Sequence, residues 1–90
     1  MKGDVTVPVI SRFYGIIIRM YFQQREHNPP HVHAIYGEHT AAITIQDGAV
    51  LEGYLPAKAL ELVREWISLN QTALIQIWET QEFRLLPPLE

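Results

Sequence analysis

Three histidines fall within seven residues, in the segment His27-Asn28-Pro29-Pro30-His31-Val32-His33. His31 and His33 are two apart. On a strand their rings point the same way and can share a ligand. The stiff Pro29-Pro30 pair would hold His27 near them. Two chemistries suit this spacing. Neutral imidazoles ligate zinc, nickel, copper or iron, and Glu52 or Glu38 would add an oxygen. The cofactor expectation is therefore none, or a divalent transition metal on His31 and His33. Histidine also titrates near neutral pH, which makes His31, His33 and His27, with Glu52, candidates for acid–base catalysis. In metal-free RNA cleavage one histidine takes the 2′-hydroxyl proton and another protonates the leaving oxygen. Arg12, Arg19 or Arg25 would neutralise the phosphate, with Tyr21 and Tyr54 completing the candidate substrate-binding set. The structural alternative is that these rings hydrogen-bond backbone groups near the prolines and so orient the loop.

These side chains need a scaffold. Residues 12–22 are rich in β-branched and aromatic types and read as one strand. Residues 1–10 read as a lead-in, although Val5, Val7, Val9 and Ile10 could add an edge strand. Residues 23–30 form a polar connection. A second strand runs over 31–36, a third over 39–46 and a fourth over 50–55. Gly37-Glu38 makes the turn between the second and third. Asp47-Gly48-Ala49 makes the next turn.

The turn lengths set the register. The first pairs Tyr36 with His39, His33 with Ala42 and His31 with Thr44. The second pairs Gln46 with Val50, Thr44 with Glu52 and Ala42 with Tyr54. One face then carries Val32, Ala34, Tyr36, Ala41, Ile43, Ile45, Leu51 and Leu55, for a helix to cover. The other gathers His31, His33, Glu52 and Tyr54, with Arg19 and Tyr21 from the first strand. His39 falls at the rim of the packed face and reads as structural.

Pro56 opens a helix at its first position. Leu60, Val63 and Ile67 repeat at helical spacing, and the phase continues through Leu74, Ile77 and Trp78. The pattern allows one long helix, or two with Asn70 capping the second. Trp66 and Trp78 lie on the apolar stripe as core anchors. Glu61, Glu65, Glu79 and Glu82 read as a solvated helix face. The expected fold is α+β: an antiparallel four-stranded β-meander with one long or two short C-terminal helices on one face. A single domain is expected over 1–90, with an extension at 1–8, sheet at 9–55, helix at 56–83 and a tail at 84–90.

Composition narrows the function classes. The 90 residues are 48% hydrophobic and 19% charged, a globular balance. With no cysteine, a disulfide scaffold, a thiol nucleophile and thiolate zinc sites are excluded. The longest apolar run is cut by Arg19, so no membrane helix is expected. Met1-Lys2-Gly3-Asp4 has no signal-peptide core, so the cytoplasm is the expected compartment. The net charge of −3 argues against a general nucleic-acid coat. It is unevenly spread. Residues 1–37 set Lys2, Arg12, Arg19 and Arg25 against Asp4 and Glu26. Residues 38–90 set Lys58, Arg64 and Arg84 against eight acids.

The segments Ser11-Arg12-Phe13-Tyr14-Gly15-Ile16-Ile17-Ile18-Arg19-Met20-Tyr21, His27 through Ala34 and Tyr36-Gly37 resemble a family of short bacterial proteins, domain of unknown function 4160. The resemblance continues through Gly53-Tyr54-Leu55-Pro56, Leu62-Val63-Arg64-Glu65-Trp66, Trp78-Glu79 and the Pro-Leu tail, over residues 9–90. It implies a short cytoplasmic protein, often encoded beside another small protein, in an arrangement like a toxin–antitoxin pair. It implies no activity that transfers residue by residue. Three expectations follow. The first is an interaction module for a small protein encoded nearby, with RNA, DNA or a second copy of the chain as further partners and no membrane. The second is a toxin-like ribonuclease on the histidine cluster. The third is histidine-based metal binding.

Overall fold

The computed structural model describes residues 8–21 and 29–90. Five antiparallel strands form one sheet in sequence order: β1 (Val9–Phe13), β2 (Ile16–Arg19), β3 (His31–Tyr36), β4 (His39–Thr44) and β5 (Val50–Gly53). The helices α1 (Ala57–Leu69) and α2 (Gln71–Thr80) follow.

The stretch expected as one strand over 12–22 is a hairpin. Tyr14 (φ 50°) and Gly15 (φ 79°) reverse the chain between β1 and β2. Positive φ at both central residues suits a tight hairpin turn, because its twist matches that of the strands it joins. Strand-forming composition hid this, since a tyrosine rarely takes that conformation. The added strand β1 includes Val9 and Ile10, two of the residues singled out for an edge strand.

The β3–β4 register is the expected one: Tyr36 opposite His39, His33 opposite Ala42 and His31 opposite Thr44. The β4–β5 register differs. Ala42 faces Glu52 rather than Tyr54, and a bulge falls between Ala42 and Ile43. The cause is local. The Thr44 hydroxyl donates to Asp47 Oδ1, and the Ala49 N–H donates to both Thr44 Oγ1 (3.0 Å) and Asp47 Oδ1 (3.2 Å). These bonds, with Gly48 N–H to Thr44 O at 3.1 Å, draw Thr44 into the turn. They also hold the Asp47 carboxyl below its ordinary range, the Thr44 hydroxyl first and the Ala49 N–H second. Leu51, expected on the packed face, is 42% exposed as a result.

One face of the sheet carries Ile16, Ile18, Val32, Ala34, Ala41 and Ile43, all buried against the α1 and α2 residues Ala59, Val63, Trp66, Ile67, Leu74 and Ile77. A fully buried isoleucine or leucine of this kind contributes about 1.5–3 kcal/mol. Phe13 and Trp66 anchor the centre, with ring centroids 5.6 Å apart. Arg64 Nε donates to Gly48 O at 2.8 Å and ties α1 to the β4–β5 loop.

Pro56 is the residue before α1 rather than its first turn. The helical segment is two helices meeting at Asn70 (φ −119°, ψ 22°). The Asn70 side chain donates back to Trp66 O at 2.9 Å, so it closes α1 rather than capping α2. The tail runs beside β1: Leu86 N–H donates to Ile10 O at 2.8 Å, and Trp66 Nε1 donates to Pro87 O at 2.8 Å. Leu86 and Leu89 are buried, while Leu85 is exposed. Among the described residues, no helix is long and apolar enough to cross a membrane.

Candidate functional site

Alternation along β3 puts Val32 and Ala34 under the helices and sends His31, His33 and Ile35 to the other side. On that side the cross-strand register builds a row: Val9, Arg19, His33, Ala42 and Glu52, one residue from each strand. The next row is Arg12, Ile17, Ile35 and Thr40. Arg12 and Thr40 are exposed, and Ile17 and Ile35 are half-buried.

The two histidines have different surroundings. His33 is half-buried. The Tyr21 ring lies against it at a centroid distance of 4.1 Å, and the His31 ring stands edge-on at 5.1 Å. Burial is the first cause that lowers the His33 pKa below the ordinary histidine value, and the neighbouring His31 is the second. Glu52 pulls the other way. A half-buried, electrically crowded imidazole of this kind favours the neutral form, a proton acceptor with one free ring nitrogen.

His31 is only 6% exposed. Its Nδ1 donates to Pro29 O at 2.9 Å. A carbonyl only accepts, so this bond puts the hydrogen on Nδ1 and leaves Nε2 as the acceptor of the neutral ring. The indole of Trp78 covers the ring at 5.1 Å. The expectation that the helices pack on one face alone is therefore corrected. α1 stays on the apolar face, but Trp78 of α2 reaches the histidine side at the start of β3. The Pro30 carbonyl is satisfied too, by Ile45 N–H at 3.0 Å. The backbone acceptors beside the prolines are thus occupied, one of them by a histidine.

The remaining candidates separate. Glu52 lies in the row of His33, two registers from where the expected turn would have put it, beside His31. Tyr54 is not in the cluster. It follows β5, 62% exposed, with its ring 5.3 Å from His39. His39 is exposed rather than packed. Glu38 sits in the β3–β4 turn, at the far end of β3 from His31. His27 and Arg25 lie outside the described residues. Among the described residues, no three His, Asp or Glu side chains group as a metal site. The larger hollows also lie elsewhere. One is lined by Gln46, Gln71, Thr72 and Ile75, and another lies between the end of α1 and the tail. Sequence reasoning assigned Trp78 to the core and missed its role as the cover of His31. No short-range signal links residues 47 positions apart.

The family model for Domain of unknown function (DUF4160) matches residues 15–79. The chain belongs to this family. The DUF4160 match spans β2 to nearly the end of α2, and so includes the His33 row and Trp78. β1 and the tail that lies against it fall outside. No curated protein and no solved structure matches the chain.

Proposed function

We propose that this DUF4160 chain is an interaction module that binds a small protein partner through the sheet face opposite α1. The observation that carries the reading is the pair of rows on that face. Half-buried Ile17 and Ile35 lie between Arg12 and Thr40 in one row, and Arg19, His33 and Glu52 stand in the row beside it. Antiparallel sheets can leave such a face to solvent. A contact patch with an apolar centre and a charged rim is also the usual anatomy of a protein interface. The bond from His31 to Pro29 O supports a structural role for at least one histidine. The family resemblance supplies the partner class: the small protein encoded beside its members, in a toxin–antitoxin-like pair.

Co-expression with that neighbouring protein tests the reading. A complex that survives size exclusion, persists with His33→Ala and is lost with Ile35→Glu or Arg12→Glu is expected. A complex indifferent to both face substitutions would move the interface elsewhere.

The ribonuclease reading keeps one observation in its favour: a crowded, half-exposed His33 with Arg19 and Glu52 in its row. RNA cleavage that survives EDTA and vanishes in His33→Ala would establish it.

A further inference from the structure

The β4–β5 turn holds Asp47-Gly48, the single place in the chain where an Asp or Asn precedes glycine. With no side chain to shield it, a glycine nitrogen can close on the side-chain carbon of the residue before it. The other Asp and Asn residues lack this arrangement. Asp4 precedes Val5, Asn70 precedes Gln71, and Asn28 precedes Pro29, whose nitrogen carries no hydrogen. The turn needs its glycine. Gly48 has φ at 72°, and an added Cβ would stand 3.2 Å from Arg64 Cγ. The fold therefore keeps a chemically labile pair at this position.

The folded chain ties down both halves of that pair. Gly48 is buried, its N–H donates to Thr44 O at 3.1 Å, and its carbonyl accepts Arg64 Nε at 2.8 Å. Asp47 Oδ1 accepts the hydroxyl of buried Thr44 and the Ala49 N–H. Ring closure needs the Gly48 nitrogen to give up its hydrogen and the Asp47 side chain to turn its carbon onto that nitrogen. These bonds take up both freedoms. They also keep the carboxyl ionised, the Thr44 hydroxyl first among them, and an ionised carboxylate has no hydroxyl to expel.

We infer that Asp47-Gly48 is a site of spontaneous aspartate isomerisation, held closed by Thr44 and Arg64 in the folded chain and reactive when the turn opens. The Gly48 nitrogen attacks Asp47 Cγ. A carbon–nitrogen bond forms, and the nitrogen's hydrogen leaves with the carboxyl hydroxyl as water. Solvent water then opens the cyclic imide. Addition at Cγ restores the original chain. Addition at the Asp47 main-chain carbonyl breaks its bond to Gly48 and leaves the backbone running through Cγ, with a free carboxylate where the carbonyl was. Nothing is oxidised or reduced. The β-linked backbone is longer by one carbon, in the turn that joins β4 to β5. Val50 opposite Ile43 and Glu52 opposite Ala42 lie just beyond it. Modification therefore displaces Glu52 from the row of His33. The inference does not depend on what the open sheet face binds.

Incubation of the full chain in ¹⁸O-labelled water at neutral pH tests the inference. Mass spectrometry after digestion reads the label at Asp47 and the β-linked peptide. The folded chain should react at least about tenfold more slowly than the same chain unfolded in urea, because the turn must open first. Thr44→Val keeps the shape and loses the hydroxyl, so it should react several-fold faster while still folded. Thr44→Ser keeps the hydroxyl and should stay slow, and Arg64→Met should fall between. The amide signals of Glu52 and His33 should move in the β-linked fraction. If Thr44→Val does not fold, the natural chain compared folded and unfolded still decides. Equal rates in those two states, a folded Thr44→Val as slow as the natural chain, or β-linked protein with unchanged Glu52 and His33 signals would each overturn it.

Discussion

His31 Nδ1 and the Pro29 carbonyl oxygen are 2.9 Å apart, and this bond orients the ring that Trp78 then covers. One histidine thus links the proline turn to α2. Replacement by alanine leaves a cavity and an unpaired carbonyl, at an expected cost of about 2–4 kcal/mol. His31→Phe keeps most of the packing and loses only the donor, at about 1–2 kcal/mol. The shift in urea midpoint at constant slope measures both. Equal midpoints for the alanine variant and the natural chain would remove the structural role.

His33 makes stability depend on pH. Its folded pKa lies below its unfolded value, so between the two the unfolded chain binds more protons. Stability is therefore full at pH above the ordinary histidine value of about 6.5 and falls as the pH drops through it, levelling off below the folded pKa. Urea unfolding across this range should show the loss, reduced in His33→Gln. Glu52→Gln removes the influence that opposes the shift, so the His33 ring should titrate at still lower pH by NMR.

Gly53 has no substitute. A Cβ there would stand 2.1 Å from Thr40 O and 2.9 Å from Ala41 Cα, at φ 85°. Neither contact is a flexible side chain that could swing aside. Gly53→Ala should cost about 3 kcal/mol or more, or prevent folding. Gly37→Ala is the control: its φ is 62° but nothing lies within 4 Å. It should cost only about 1–2 kcal/mol, for backbone strain alone. Thermal or urea unfolding of the pair separates the two terms.

The tail guards a sheet edge. Leu86 N–H reaches Ile10 O on β1, and Pro87 O receives Trp66 Nε1. Removal of residues 84–90 strips these contacts and bares β1, whose free backbone groups can then pair with another chain. The shortened protein should self-associate in sedimentation velocity at concentrations where the full chain does not. Trp66→Phe, which leaves the tail in place but without its donor, should cost about 1–2 kcal/mol and keep the association state.

Much of this fold is legible in the sequence. Local rules act over a few residues, and they read well wherever the local signal was unopposed. Gly37 in a two-residue turn set the β3–β4 pairing residue by residue: the side-chain period of two excludes one-residue slips that would expose Val32, Ala34, Ala41 and Ile43, and the length of the turn excludes the two-residue ones. The helical stripe from Ala59 to Ile77 was likewise written in its spacing. Where two local signals competed, the reading failed. Strand-forming Tyr14 concealed a turn, and the Thr44–Asp47–Ala49 hydrogen bonds overrode a simple count of loop residues.

By itself, the sequence determined the β3–β4 pairing, the histidine face and the helical stripe, all consequences of spacing and propensity, while it expected four strands rather than five and left open whether the helix breaks at Asn70. Only the tertiary structure decided how those pieces met. It moved Glu52 into the row of His33, separated Tyr54 from the cluster and laid Trp78 over His31. The reason is physical: the shifted and bulged β4–β5 pairing keeps Glu52 on its face but gives it new neighbours and brings Val50 opposite Ile43, and the contact between residues 31 and 78 depends on how α2 leaves Asn70, which no local pattern encodes.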